Sequence, residues 1–478
     1  MSVLVLMLVV FILGYVAIAL EGPLKINKAA SALFIGVIIW VIYIYGLPNV
    51  LNAGFSPNWE DFKKSLFLSK YLKKFPNADV IAQMKYFIVD YELVSHLGTL
   101  SQILFFLLGA MTIVETIKQH NGFKVITERI TTSNKVKLLW ILSLITFFLS
   151  SVLDNMTTTI VMIALLRGLI KDEKTRWYFA SIIVIAANAG GAFSPIGDVT
   201  TIMLWIGGQV TELDIIEMVF LPSLISLVLP LAVLSFFTKG EVEKPDKSQE
   251  KNLTNKYSTF MLVIGIGGLI FVPFFKKMTE LPPYMGMLLS LSIIWFITEI
   301  IHRKDPPEAQ EKYTVIAVLR NVDIGSILFY LGILSAVAAL ESAGHLNIMA
   351  SFLNKNMHNI YAINGTIGVL SSIVDNVPLT AAAMGMYPIM TDTMMAASSD
   401  PSFMHHFVQN GAFWELLAYA TGTGGSILII GSAAGVVAMS LEKIDFLWYM
   451  KKISWIALLG YLAGIGVYWL QNELIFHH

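Results

Sequence analysis

Two short stretches of this sequence place an Asp-Asn pair inside long apolar runs. Ser150–Thr159 reads S-S-V-L-D-N-M-T-T-T, and Ser371–Thr380 reads S-S-I-V-D-N-V-P-L-T. An ionisable side chain within a membrane segment is costly to bury, so its presence indicates a functional site. Carboxylate and amide oxygens suit a small hard cation, and burial near like charges lets a carboxylate also take up a proton near neutral pH. The repeated pair therefore predicts a site for which a cation and protons compete.

Two further stretches combine glycines with polar residues. Asn188–Thr201 reads N-A-G-G-A-F-S-P-I-G-D-V-T-T, and Thr421–Ser432 reads T-G-T-G-G-S-I-L-I-I-G-S. A glycine pair and a third glycine recur with the same relative spacing in both. Gly and Pro interrupt helices, and interrupted membrane helices bring backbone carbonyls and helix ends to the midplane. We therefore expect each stretch to break a membrane helix beside an Asp-Asn motif.

The polar residues of these four stretches are the candidate ligands. They are the acids Asp154, Asp198 and Asp375, with Asn155, Asn188, Ser194, Thr200, Thr201, Asn376, Ser426 and Ser432. Further candidates are Ser150, Ser151 and Thr157 in the first motif and Glu115 near the end of an earlier apolar run. No Lys or Arg lies near the centre of either repeat to hold an anion.

Each candidate also has a purely structural interpretation. Asp154 and Asp375 are suited to cap the helices that follow them, and Asp198 is suited to the same role after Pro195 and Gly197. The glycine pairs can serve close helix packing, and mid-helix hydroxyls commonly bond their own backbone. Glu115 is equally compatible with an interfacial position. The recurrence of the Asp-Asn pair in both halves favours function, with or without capping.

Composition sets the class of protein. The chain has 478 residues, of which 56% are hydrophobic and 14% charged, and its mean hydropathy is +0.70. A soluble domain averages about 25% charged residues. The many apolar runs near 20 residues long predict an all-α polytopic membrane protein that contacts the lipid bilayer. The lack of cysteine excludes thiol chemistry, and no basic patch predicts a nucleic-acid partner.

The apolar runs predict two similar halves. The run over about 137–170 would make a straight helix of roughly 50 Å, whereas the bilayer core is about 30 Å thick, so we expect a re-entrant hairpin. The third span is expected over 97–117, after a long polar connection at 46–95. The resulting division is an N-terminal part (1–96), a first repeat (97–237, hairpin about 137–170, broken span about 177–207), a cytoplasmic linker (238–256) and a second repeat (257–478, hairpin about 359–390, broken span about 411–439).

The distribution of basic residues predicts the orientation. Loops 118–137, 171–176, 238–256 and 302–320 are basic, whereas 208–217 and 391–409 lack Lys and Arg. The positive-inside rule then places the two hairpins on opposite sides of the membrane and both chain termini outside. The halves would form an inverted repeat, the usual frame for alternating access. The first apolar run lacks a basic n-region and a cleavage site, so we interpret it as a span.

At these motifs the sequence resembles the NhaD-type sodium/proton antiporters, which are related to arsenite permeases and divalent-anion/sodium symporters. The resemblance implies inverted repeats with hairpins and unwound helices, a homodimer in a bacterial cytoplasmic membrane, and exchange of external protons for internal Na+ or Li+ without a cofactor. It maps the cation site onto Asp154, Asn155, Asn188, Asp198, Thr200, Thr201, Ser371, Asn376, Ser426 and Ser432, with Na+ or Li+ at the first four. The sequence departs from the family near Gln102, early in the third span, where some members carry an acidic residue.

Two alternatives remain open at this point. The first is a sodium-coupled anion symporter of the same fold, in which Asp154 would hold only the coupling ion. Its anion-carrying relatives have Ser-Asn-Thr at the hairpin tips, where this chain has Asp154 and Asp375. The second alternative is a non-transporting membrane sensor or scaffold, which would need a soluble output domain. Neither alternative, nor the antiporter, is an enzyme.

Overall fold

The structure is a computed structural model that describes residues 3–19, 21, 25–127, 130, 132–242, 257–306, 313–398 and 400–476. Its secondary structure in these ranges is helical, with a lone β-bridge between Asn134 and Glu241. Most of the predicted cytoplasmic linker (243–256), part of the basic loop 302–320 (307–312) and Arg129 of loop 118–137 lie outside the described residues.

The helices are numbered here in chain order. They are α1 (Val3–Ala19), α2 (Lys28–Tyr45), α3 (Leu47–Leu51), α4 (Pro57–Lys63), α5 (Leu66–Lys74), α6 (Val80–Tyr86), α7 (Leu93–Gln119), α8 (Lys124–Thr127), α9 (Lys135–Ser150), α10 (Asn155–Leu169), α11 (Glu173–Ala192), α12 (Val199–Ile206), α13 (Glu212–Phe237), α14 (Ser258–Thr279), α15 (Pro283–His302), α16 (Val315–Leu319), α17 (Ile324–Ser342), α18 (His345–Asn356), α19 (Ile360–Leu370), α20 (Asn376–Met386), α21 (Asp392–Ala396), α22 (Pro401–Met404), α23 (Ala412–Gly424), α24 (Ala433–Glu442), α25 (Phe446–Lys452) and α26 (Ser454–Gln471). Short π-helical segments follow α6 and α26 (Phe87–Glu92 and Asn472–Phe476), and a 3-10 turn covers His405–Phe407.

Long apolar helices dominate the described part of the chain. Seven are long and apolar enough to cross a membrane by length and composition, and α1 and α10 are among the shorter apolar helices. The class predicted from composition, an all-α polytopic membrane protein, is thereby confirmed.

The helix that contains the third predicted span extends well beyond it. Helix runs without interruption over 40 residues, Val80–Gln119, through a π-helical segment. The carboxylate of Asp79 starts it by accepting a 2.7 Å hydrogen bond from the backbone N–H of Ala82. The predicted span at 97–117 lies within this helix, and its start stays a prediction. Lys85 and Asp90, which precede it, lie on the exposed side of the helix.

The described chain separates into two compact units. The first comprises Met1–Leu104, Asp323–Asn359 and Ala381–Pro388, and its centre is the contact between α2 and α17. Gly36 allows this contact, because a Cβ atom there would lie 2.6 Å from the carbonyl oxygen of Gly332. The Trp40 indole donates to the carbonyl of Ser335 at 3.0 Å, which fixes the register of the two helices.

The second unit comprises Phe105–Val322, Ile360–Thr380 and Ile389–His478. Helices α9, α10, α13, α23 and α24 all pack against α11, and α19 packs against α23. Each run that carries a motif is interrupted there, between α9 and α10, α11 and α12, α19 and α20, and α23 and α24. All the candidate ligands named from the sequence lie in this unit.

The two glycine-rich stretches make matching contacts inside the second unit. A Cβ atom on Gly190 would lie 2.1 Å from the carbonyl oxygen of Phe147, and one on Gly424 would lie 2.0 Å from that of Gly368. Phe147 and Gly368 each precede an Asp-Asn pair by the same number of residues. These matching contacts support the predicted repeat. Its inverted orientation, and the division of the chain at 97, 238 and 257, stay predictions.

Candidate cation site

The first Asp-Asn motif begins helix α10. Asp154 is its N-cap: one carboxylate oxygen accepts from the Thr157 backbone N–H at 2.8 Å and the other from the Thr157 hydroxyl at 2.5 Å. Asn155, the first residue of the helix, is buried and directs its side chain away from the cap. The structural interpretation of Asp154 as a cap is therefore correct, and it places Asn155 rather than Asp154 in the polar centre.

The break between α11 and α12 positions Asp198. A Cβ atom on Gly191 would lie 2.7 Å from the carbonyl oxygen of Gly197, so the broken chain folds tightly back on α11. Asp198 is the N-cap of α12 and accepts from the backbone N–H of Thr200 at 3.3 Å. The Thr201 hydroxyl donates to the Asp198 carbonyl at 2.9 Å. Asp198 is only 2% exposed, so its carboxylate depends on neighbouring side chains for its remaining partners.

Those side-chain partners come from two different helices, α10 and α20. Oδ2 of Asp198 accepts hydrogen bonds from Nδ2 of Asn155 at 2.9 Å and from Nδ2 of Asn376 at 3.0 Å. Asn155 also donates to Oδ1 of Asn188 at 3.1 Å. These four residues, Asn155, Asn188, Asp198 and Asn376, are called the amide–carboxylate cluster below. The cluster joins both Asp-Asn motifs to the first broken helix.

The second broken helix reaches the cluster through two serines. Nδ2 of Asn188 donates to the hydroxyls of Ser426 and Ser432, each at 2.9 Å. Ser432 is itself the N-cap of α24 and accepts from the backbone N–H of Gly435 at 3.2 Å. It therefore has the position in α24 that Asp198 has in α12. The centre of the site carries a carboxylate from one half and a neutral hydroxyl from the other.

The electrostatics of the cluster favour a cation. Asp154 and Asp375 both act on Asp198 as like charges. Within the described ranges, no hydrogen bond or ion pair joins a Lys or Arg to a cluster residue. The hydroxyls of Thr200 and Thr158 are buried without a hydrogen-bond partner. A buried carboxylate, amide groups and unpaired hydroxyls are the hard oxygen donors that a small cation binds.

Several predicted candidates lie outside the cluster. Ser150 donates to the carbonyl of Ala187 at 2.6 Å, and Ser371 makes the matching bond to Thr421 at 2.9 Å, so both fix the breaks that precede the Asp-Asn pairs. Thr157 serves the Asp154 cap. The carboxylate of Asp375 accepts from the backbone N–H of Val377 at 3.1 Å, at the start of α20.

The remaining candidates are more distant. Ser151 and Ser194 line a cavity of about 780 Å³ together with apolar side chains of α13 and α14. Glu115 pairs with Lys118 at 2.9 Å, which agrees with the interfacial interpretation.

Sequence reasoning missed Thr158 and Thr380. The Thr158 hydroxyl is buried without a hydrogen-bond partner, and the Thr380 hydroxyl contacts that of Thr421 at 3.2 Å. The three consecutive threonines at 157–159 were a visible signal, but helical periodicity alone does not show which of their hydroxyls lacks a partner.

Interrupted apolar helices around a buried amide–carboxylate cluster define a multi-pass secondary transporter. The family model described as citrate transporter (CitMHS) matches residues 1–405. Two proteins of Arabidopsis thaliana, sodium/proton antiporters 1 and 2, are 40% and 41% identical over 98% and 97% of this chain, and the matches cover 73% and 98% of their own lengths. The Na+/H+ antiporter NhaD of Alkalimonas amylolytica is 26% identical over 98% of this chain and 90% of its own length. The chain belongs to this citrate transporter family, among its NhaD-type sodium/proton antiporters, and is a secondary transporter and not an enzyme.

Proposed function

We propose that this chain exchanges Na+, and also Li+, for protons at the amide–carboxylate cluster. The observation that carries the proposal is the single buried carboxylate of Asp198, held by amide donors from both Asp-Asn motifs. The names of the plant and bacterial relatives support sodium and protons as the exchanged ions.

The exchange follows from competition for Asp198. With a proton on Asp198, its carboxyl is neutral and the cluster itself carries no negative charge to hold a cation. Without the proton, the carboxylate is stabilised by the amide N–H groups of Asn155 and Asn376 and by the backbone N–H of Thr200, while two like charges act on it. A cation at Asp198 would displace these donors, and a turn of either amide about its terminal torsion would present its oxygen instead. Cation binding and protonation then exclude each other.

Alternating access would expose this one site to each side of the membrane in turn. Breaks in both halves border the cluster, so a movement of either half changes the same set of ligands. We further propose that the protein exports cytoplasmic sodium across a bacterial cytoplasmic membrane, as a homodimer with both termini outside. Labelling of single cysteines introduced into loops 208–217 and 391–409 of the cysteine-free chain would test the orientation, and chemical cross-linking in membranes would test the dimer.

Proton flux in proteoliposomes at alkaline pH tests the proposal directly. Pulses of Na+ or Li+ should move protons, and the Asp198→Asn variant should abolish the movement. Asp154→Asn keeps an acceptor for the Thr157 backbone N–H but removes the charge and the acceptor for the Thr157 hydroxyl. Loss of transport in a variant that remains folded would show that Asp154 matters beyond capping the helix. The matched control is Asp445→Asn, because Asp445 also caps a helix (α25) but lies outside the cluster.

The description of the family favours one second candidate, sodium-coupled transport of a carboxylate anion. Succinate and citrate uptake would be measured in the same vesicles with and without Na+. Sodium-dependent uptake of either anion, without cation-driven proton movement, would replace the antiporter proposal. Asp154 and Asp198 would then hold only the coupling ion.

A further inference from the structure

A hydrogen-bonded chain of two histidines and an aspartate lies in the second unit, outside the amide–carboxylate cluster. His120 follows the end of α7, and His302 is the last residue of α15. Their Nε2 atoms are 2.9 Å apart. Nδ1 of His120 lies 2.8 Å from the carbonyl oxygen of Thr116, and Nδ1 of His302 lies 2.5 Å from Oδ2 of Asp305. Both rings are buried, at 0% and 4% exposure.

Counting protons shows what this arrangement requires. The Thr116 carbonyl only accepts, so Nδ1 of His120 carries a hydrogen. The contacts between the rings and between His302 and Asp305 need one hydrogen each. Two neutral imidazoles supply two hydrogens for three contacts. All three contacts are therefore hydrogen bonds only when the group holds one additional proton. The two histidines then carry one positive charge together, which the ionised carboxylate of Asp305 balances.

Either change of protonation breaks a contact. Without the additional proton, one of the three contacts has no hydrogen, and two lone pairs face each other there. A buried polar atom is then left without a hydrogen-bond partner. Addition of a second proton directs two N–H groups at each other between the rings. Burial lowers the pKa of His120; its bond to the Thr116 carbonyl acts in the opposite direction, and the neighbouring His302 adds a smaller lowering. The folded protein therefore resists the second proton.

The surroundings connect the group to three helix ends. The Ser258 hydroxyl, at the start of α14, donates to the His120 carbonyl at 2.6 Å. Among the described residues, the titratable groups that contact the rings are Asp305, Tyr313 and Tyr257. Tyr313 stacks on His302 at 4.3 Å and lies 4.8 Å from the His120 ring, and Tyr257 meets His302 edge-on at 5.7 Å.

The other charges close in sequence lie at the end of α7 and just after α15. Arg303 and Lys304 follow His302, and Lys118 precedes His120 but pairs with Glu115 at 2.9 Å. Asp305 is 37% exposed, so protons can reach the buried pair from water through its carboxylate.

We propose that His120, His302 and Asp305 form a binding site for one proton, separate from the cluster, that links the ends of α7, α14 and α15. Loss of this proton at alkaline pH removes a hydrogen bond from the link and loosens it. The site acts on the local stability of these helix ends and does not itself carry a transported ion. The inference does not depend on which ion the cluster carries.

The test is nitrogen NMR of the full-length protein with labelled histidine, in lipid nanodiscs. The chain contains nine histidines, so individual variants can assign the signals. The expected result is that His120 and His302 share one proton around neutral pH, show a scalar coupling across the N–H···N bond and lose both features together as the pH rises. Independent titration of the two rings, or no coupling at any pH, would overturn the proposal.

Two variants extend the test. Asp305→Asn lies at a partly exposed position and removes the balancing charge, so the shared-proton transition should move to lower pH by about 1 unit or more. His302→Gln should remove the coupling and change the signal of His120. Asp445→Asn, an exposed cap elsewhere, should change neither. A transition that stays at the same pH in Asp305→Asn would contradict the role of Asp305, and with it the three-residue site. If transport is abolished in Asp198→Asn while the histidine coupling persists there, the two sites are separate.

Discussion

Asn376 donates a 3.0 Å hydrogen bond to Asp198, although 178 positions separate the two residues in the chain. This bond connects the second Asp-Asn motif to the break in α11 and α12. Asn155 of the first motif donates to the same oxygen, so a single carboxylate oxygen of Asp198 is hydrogen-bonded to both motifs. A conformational change that moves either motif must alter the environment of Asp198, which is the requirement for coupling ion binding to access.

Removing either amide donor is expected to weaken cation binding. Asn376→Ala and Asn155→Ala each remove one partner of the Asp198 carboxylate and one oxygen available to a cation. We expect the apparent affinity for Na+ to fall about tenfold, corresponding to about 1.4 kcal/mol. The measurement is the Na+ concentration that gives half-maximal proton movement in proteoliposomes. Asn356→Ala, on the exposed surface of α18, should have no effect. Unchanged affinity in both variants would contradict the assignment of the cluster.

The two serines that accept from Asn188 are expected to act together. Ser426→Ala or Ser432→Ala leaves Nδ2 of Asn188 with one acceptor, whereas the double variant leaves a buried amide without either. An unsatisfied buried donor costs about 1–3 kcal/mol, so the double variant should lose more transport than the two single losses predict. A double-mutant cycle on Na+ affinity measures this coupling. Strict additivity would show that the serines do not act through Asn188.

Close packing at the second broken helix is expected to forbid a side chain at Gly424. A Cβ atom there would lie 2.0 Å from the carbonyl oxygen of Gly368, and backbone atoms cannot move aside cheaply. Gly424→Ala should destabilise the protein by about 1–3 kcal/mol or more, seen as a lower midpoint of thermal unfolding in detergent. Gly267→Ala in α14 is the control, since nothing lies within 4 Å of its Cβ position. Equal midpoints for the two variants would contradict this contact.

A buried ion pair is expected to fix the end of α24. Glu442 is 3% exposed and binds Arg167 at 2.7 Å and Arg176 at 2.8 Å. Glu442→Gln leaves both guanidinium groups without their counter-charge, and breaking a buried pair costs about 3–5 kcal/mol. Arg167 is half exposed, so we expect the lower end of this range. Thermal unfolding and surface expression measure the loss, with the exposed Glu173→Gln as the control. Wild-type stability in Glu442→Gln would show that the pair contributes little.

The lowered pKa of His120 predicts the sign of one pH effect. In the unfolded chain this histidine takes up a proton near pH 6.5, whereas burial opposes the same step in the folded protein. Below pH 6.5 the unfolded state then binds more protons than the folded state, so stability falls as the pH drops further. His120→Gln should flatten the dependence of the unfolding midpoint between pH 6.5 and 5.5. A fall of the same slope in the variant would assign the effect to other groups.

The sequence by itself determined the class of protein, the four motif-bearing breaks and most of the ligand candidates. Apolar runs fix where helices cross a membrane, and Gly, Pro and capping residues fix where they stop, because both are local properties of the chain. The third span shows the limit of this reasoning. Local charge at Lys85 and Asp90 suggested a connection, while the folded chain continues as helix with those side chains on its exposed side.

Only the tertiary structure decided which candidates meet. Sequence reasoning gave Asp154 and Asp198 equal roles, but Asp154 caps its own helix and Asp198 receives amides from both motifs. Ser432 corresponds to Asp198 in the second half, so similar motifs produce a centre with one carboxylate. The direction of these side chains depends on how closely the helices pack at Gly190 and Gly424. At both glycines the neighbouring backbone is so close that a Cβ atom would clash with it. These contacts are between residues that are far apart in the chain, so a local sequence pattern cannot predict them.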